Sequence, residues 1–123
     1  MKIVFSKRLI RKELGAKPTE DDFLVIRKGY EKGIYESIKG ESLPLGSRLI
    51  KVYATTVSGA RRIVYLIDIE SGDVFFLFFR TKNDRIGSNL TINNPEFKKK
   101  LQEYLAILFE DLENDNFQVM EIS

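Results

Sequence analysis

The chain has 123 residues, one domain's worth on length alone and too few for a multidomain enzyme or a full Rossmann or barrel scaffold. Hydrophobic residues make up 43% and charged residues 31%, close to globular averages, and the absence of both cysteine and histidine removes disulfide frameworks, thiol nucleophiles, two-histidine metal sites and the Ser-His-Asp hydrolases. The net charge is only +2, but residues 1–62 carry 14 basic and 7 acidic side chains (+7) and residues 63–123 carry 6 and 11 (−5), so the front half is suited to meet nucleic acid or another acidic surface.

Met1–Phe5 has Ile3 and Phe5 at alternate positions and is followed at once by Lys7, Arg8, Arg11 and Lys12, so it reads as a strand and not as a signal peptide. No apolar run approaches the roughly 18 residues of a membrane span. A cytoplasmic location and no membrane partner are expected. Residues 7–18 read as a loop or a short helical turn. Thr19 then offers an N-cap to Glu20, Asp21 and Asp22, and Phe23, Ile26, Tyr30 and Ile34 give an apolar stripe, which predicts a helix over 19–39. Gly29 and Gly33 weaken it, so a kink or two shorter helices is open. Residues 41–46, with Pro44, read as a loop.

Arg48–Val57, Arg61–Ile69 and Val74–Arg80 are β-branched and aromatic runs divided by glycine-containing turns, the pattern of an antiparallel meander. After a polar loop over 81–93, Asn94 and Pro95 form an N-cap and a first helical turn. Phe97, Leu101, Tyr104, Leu105, Leu108 and Leu112 predict an amphipathic helix over 95–113. Phe117–Ile122 reads as a short strand or a frayed end. The expected architecture is thus a single domain over 1–123 of the α+β class, an antiparallel meander sheet of about four strands with helices packed on one face. No cofactor and no metal site is expected, since Asp21 with Asp22, and Asp111 with Glu113, read as helix-end charges.

Side chains alternate across a strand, so the turns decide which groups act together. With Ser58-Gly59 as a two-residue loop, Thr55 faces Arg62, and Lys51, Tyr53 and Arg62 share one side of the sheet. With Gly72 left-handed in a three-residue loop, Arg80 faces Arg62 on that same side. Lys51, Arg62, Arg80 and Lys82 then form a cationic end, with Arg48 and Arg85 near by, next to an apolar strip of Val64, Leu66, Phe76 and Phe78. An uncovered strip beside clustered cations is a binding surface; a strip covered by the last helix is ordinary core.

The order β-α-(α)-β-β-β, with a basic second strand, Ser58-Gly59-Ala60-Arg61-Arg62-Ile63-Val64-Tyr65, and an apolar strand ending in Arg80-Thr81-Lys82, resembles the RelE/ParE toxin superfamily of type II toxin–antitoxin modules. The likeness spans residue 2 to about 85. It implies a toxin that inhibits translation as a metal-independent endoribonuclease, cutting mRNA, in some members on the ribosome, by attack of the ribose 2′-OH on the adjacent phosphate. It further implies catalytic roles for Lys51, Tyr53, Arg62, Arg80 and Lys82, RNA contacts from Arg48, Arg61 and Arg85, and a cognate antitoxin laid over Val64, Leu66, Phe76 and Phe78. Arg62 and Arg80 would stabilise the phosphorane, Lys51 would act as base or clamp, and Tyr53, standing where a second lysine is common, would orient the 2′-OH or donate a proton. The chain lacks the C-terminal Tyr or His that serves some members as general acid. ParE-like members share the fold and bind DNA gyrase without catalysis, and a plain protein-interaction module is a third reading.

Overall fold

Ser6 ends the first strand and starts the first helix. Its hydroxyl accepts the Leu9 N–H at 3.3 Å, which caps α1 (Lys7–Leu14) as soon as β1 (Lys2–Ser6) finishes. In this computed structural model, which describes residues 1–40 and 43–122, the helical one of the two readings of 7–18 holds for residues 7–14, a two-turn helix, and residues 15–18 lead out of it without regular structure. Its basic residues lie outward while Leu9 and Ile10 are buried.

Thr19 and Asp22 exchange hydrogen bonds in a reciprocal cap at 3.1 and 3.2 Å, and α2 runs over Glu20–Glu31. The helix is eight residues shorter at its C-terminal end than the 19–39 expected. Gly33 turns the chain with φ +70°, and Glu36–Ile38 pairs as β2 along the next strand. Gly29 stays inside the helix because α2 lies hard against the sheet there. A Cβ would come within 3.2 Å of both Tyr65 Oη and Val52 Cγ1, and Tyr65 Oη donates to the Ile26 carbonyl at 2.5 Å.

β3 (Ser47–Thr56), β4 (Gly59–Asp68) and β5 (Val74–Thr81) form the expected meander, α3 spans Pro95–Glu113, and β6 spans Phe117–Glu121. Two residues of the loop expected over 41–46, Glu41 and Ser42, lie outside the described residues. The α+β class holds, but the sheet has six strands in the order β2-β3-β4-β5-β1-β6 and is mixed, not a four-stranded antiparallel meander. The physical reason is the crossover. The α1–α2 connection brings the chain back so that β1 runs parallel to β5, and the segment after α3 returns antiparallel to β1 on its free side.

The helices also cover both sides of the sheet, not one. A bulge between Val64 and Tyr65 changes the phase of β5, so Val64 pairs with Phe78 but Tyr65 pairs with Phe76. Phe78 and Leu77 then face α3, while Phe76 and Val74 face α2. Both faces are apolar and both need a cover. Under α3 lie Leu49, Val64, Leu66, Leu77 and Phe78 with Phe97, Leu101, Tyr104 and Leu108; Tyr104 stacks on Phe78 with centroids 4.8 Å apart. Under α2 lie Ile50, Val52, Ile63, Tyr65 and Phe76 with Ile3, Phe5 and Ile26. Among the described residues no helix is long and apolar enough to cross a membrane.

Candidate functional site

The hairpin of β3 and β4 carries the site, and its turn is Val57-Ser58, one step earlier than expected. Thr56 Oγ1 fixes it by accepting from the Ser58 N–H at 3.2 Å and donating to the Gly59 carbonyl at 2.8 Å. Arg62 consequently pairs with Tyr53 and not with Thr55. The pairing has moved by two residues, which preserves side-chain parity, so Lys51, Tyr53 and Arg62 do share the α3 side of the sheet.

On that side Tyr53 is 51% exposed and the Arg62 guanidinium lies over its ring, 5.0 Å from the centroid. Arg62 Nη1 donates to the Gly87 carbonyl at 2.8 Å. That partner is neutral, so the charge of Arg62 is not cancelled. Lys51 Nζ stands 3.9 Å from Glu36 across the β2–β3 pair, a loose contact with a carboxylate that is largely in solvent. The arrangement is an aromatic platform, a fixed guanidinium and an ammonium on one rigid hairpin, which is the combination that stacks a base and holds a phosphate.

Arg80 pairs with Arg62 across the β4–β5 ladder, as expected, yet its guanidinium is turned inward. Nε and Nη2 donate to the two oxygens of Glu13 at 2.8 and 2.7 Å, and Nη1 reaches Asp84 at 3.3 Å. Glu13 is nearly inaccessible and also accepts from Tyr104 Oη at 2.6 Å and the Phe79 N–H at 2.9 Å. Burial works against the charge of Arg80, and the hydrogen bonds and charge of Glu13, with Asp84 behind it, outweigh that and raise its pKa. Burial and Glu13 together also push the Tyr104 hydroxyl up. A guanidinium held by two carboxylates has little left for a phosphate, so the expected catalytic clamp at Arg80 becomes a structural tie between α1, β5 and α3.

The remaining basic residues do not form one patch. Arg48 and Arg61 alternate onto the α2 side of the sheet, Arg48 donating to Ser37 Oγ and Arg61 lying 5.7 Å from the centroid of Phe79. Arg85 is 86% exposed and pairs with Glu96 at 3.5 Å. Lys82 is exposed on the turn after β5. The strip expected to receive an antitoxin is overturned as a surface. Val64, Leu66, Phe76 and Phe78 are at most 2% exposed, α3 covers three of them, and the bulge puts Phe76 on the other face.

Sequence reasoning missed Glu13, Asp84 and Gly87. Glu13 is the acidic residue of the basic stretch and stands four and three positions after Leu9 and Ile10, on the buried face once 7–14 is helical. Asp84 Oδ2 accepts the N–H groups of Ile86 and Gly87, each at 2.9 Å, which curls the chain after β5 into a tight loop. Burial raises the Asp84 pKa, but those two N–H groups and Arg80 lower it further, and it ends below the ordinary carboxylate range. Among the described residues no group of three or more acidic side chains is placed to hold a metal ion. Comparison with protein-family models, curated proteins and solved structures gives no match for the chain.

Proposed function

We propose that the protein is a cytoplasmic toxin of a type II toxin–antitoxin module, similar to RelE-like proteins, that binds single-stranded mRNA and cleaves it. The observation that carries this is the placement of Lys51, Tyr53 and Arg62 on one side of a hairpin, with Arg62 held by a carbonyl and its charge intact. A base stacks on Tyr53 while Arg62 and Lys51 hold the scissile phosphate and its developing charge. The ribose 2′-oxygen attacks phosphorus and gives up its proton, a cyclic phosphate forms, and the 5′-oxygen leaves as a hydroxyl. Arg80 contributes by holding β5 and not by touching RNA. An acidic antitoxin that silences the site covers Tyr53 and Arg62, since the apolar strip beside them is buried.

A translation assay with mapped mRNA ends tests this. The wild-type protein should create new 3′ ends, and Arg62→Ala should cut about 100-fold more slowly or worse, in the range lost with one electrostatic donor. Inhibition of translation without new ends, or an Arg62→Ala protein that cuts as well as wild type, would overturn it. The first of those outcomes selects a second reading, a non-enzymatic toxin that binds a protein target such as DNA gyrase. The internal neutralisation of Arg80 favours that reading, because it leaves the site with fewer free cations than a phosphoryl-transfer centre usually holds.

A further inference from the structure

A cleft of about 370 Å³ opens where β2 runs beside β3 and the chain over 90–93 passes across their end. Ile38 and Leu90 are buried and form its floor. Lys39, Lys51, Thr91 and Asn93 supply two ammonium groups, a hydroxyl and an amide around the floor. Glu36, the carboxylate paired with Lys51, is 65% exposed and 3.9 Å away, so an incoming anion displaces it at little cost. The cleft has the volume of a small-ligand site, and its polar groups are those that bind a compact, multiply charged oxyanion.

Lys51 belongs to this cleft and also to the Tyr53–Arg62 side of the hairpin. Lys51 pairs with Val64 and Tyr53 with Arg62, so Lys51 and Arg62 are diagonal neighbours on one face, roughly 7–8 Å apart, a step comparable with that between neighbouring phosphates of an extended single strand. We infer that the cleft is a phosphoryl-binding site, the seat of the phosphate next to the one held at Arg62 on a bound RNA strand; this rests on the ribonuclease reading above. The enzyme then grips two successive phosphates, and the sheet edge sets the direction in which the strand leaves the site. The chain over 82–94 is the common wall, since Gly87 holds Arg62 and Thr91 and Asn93 line the cleft.

Lys39 is exposed, so Lys39→Ala leaves the fold intact and isolates the cleft. Two titrations of the full chain test the assignment, one with inorganic phosphate followed by the backbone amide signals and one with a single-stranded RNA oligonucleotide at several salt concentrations. Saturable phosphate shifts at Ser37, Thr91 and Asn93 are expected, and Lys39→Ala should abolish them. The same substitution should weaken RNA binding about 5- to 10-fold and reduce the log–log salt slope by about 0.7, the value for one phosphate of a single strand. If Lys39→Ala binds RNA and phosphate like wild type while Arg62→Ala weakens RNA binding, the cleft assignment is wrong and the ribonuclease reading survives. If phosphate shifts these amides but the wild-type protein binds no RNA, the placement on an RNA strand falls together with that reading.

Discussion

Arg62 and Gly87 are joined across 25 residues by a single hydrogen bond of 2.8 Å, and Gly87 stands where no side chain would fit. A Cβ at Gly87 would stand 2.2 Å from the Thr81 carbonyl oxygen and 2.8 Å from Arg80 Cβ. The loop after β5 therefore lies directly on the strand, and the carbonyl it presents sets the guanidinium of Arg62. Asp84 holds the loop's N–H groups, so the chain of control runs from Asp84 through Gly87 to Arg62.

Gly87→Ala tests that chain. The clash is with backbone inside a sheet, so the loop must leave and Arg62 loses its acceptor. We expect a loss on the order of 1–3 kcal/mol, as for overpacked sites, together with weaker RNA binding. Denaturant unfolding and an RNA titration on the same preparation measure both. An unchanged midpoint would show that the loop does not sit on β5.

Arg80 separates a structural role from a catalytic one. Arg80→Met leaves the Glu13 carboxylate buried without its partner, which costs about 3–5 kcal/mol. Glu13→Gln in the same molecule removes the stranded charge and should restore a large part of that loss, because the two residues act as one unit. A double-mutant cycle by urea unfolding gives the coupling. Loss of RNA cleavage by Arg80→Met with full stability would instead return Arg80 to the reaction.

The strands β1, β3, β4 and β5, the N-caps at Thr19 and Asn94 and the span of α3 were legible in the sequence, because each rests on local pattern or local hydrogen bonding. The Arg62–Arg80 pairing came out as expected although the turn before β5 spans four residues, 69–72, and not three, because the bulge at Val64/Tyr65 takes up the extra residue; Gly72 is left-handed as expected. The bulge at Val64 was not legible. No residue type announces it, and it alone decides that Phe76 and Phe78 face opposite ways. The covering of the apolar strip by α3 was one of the two readings left open, since the apolar face of 95–113 offers a cover but the choice depends on where the chain goes after residue 94. The state of Arg80 was hidden for a related reason. Its partners Glu13 and Tyr104 lie 67 and 24 residues from it along the chain, so no local pattern brings them together.

Tyr53 gives the most direct reading of the candidate chemistry. Its ring is half exposed on an outer part of the hairpin, so Tyr53→Ala should change unfolding by no more than about 0.5 kcal/mol. Loss of a stacked base should weaken RNA binding by about 1–3 kcal/mol. Tyr53→Phe keeps the platform and should bind RNA like wild type. If the hydroxyl also gives the 5′-oxygen its proton, Tyr53→Phe should cut roughly 10²- to 10⁴-fold more slowly at unchanged affinity. Equal cutting by Tyr53→Phe and wild type would leave the ring with the stacking role alone.

Asp111 makes acid stability a test of the fold's second tie. It is 2% exposed and accepts from Ser6 Oγ at 2.5 Å, Arg8 Nε at 2.8 Å and Asn116 Nδ2 at 3.3 Å, which fastens the β1–α1 junction to the end of α3. Burial alone would raise its pKa, but the bonds from Ser6, Asn116 and Arg8 prevail and hold it below the ordinary value. Below about pH 4, the ordinary value of an unfolded aspartate, the unfolded chain takes up the proton that the folded carboxylate refuses. Stability therefore falls as the pH drops through the folded value, and the contribution of Asp111 is complete only above that range. Asp84 is depressed in the same direction and adds to the effect. Asp111→Asn should cost about 2–3 kcal/mol at pH 7, the worth of hydrogen bonds to a buried charge, and the difference from wild type should shrink as unfolding is repeated toward pH 2. A gap that stays constant from pH 7 to pH 2 would mean that the Asp111 side chain is held by shape and not by its charge.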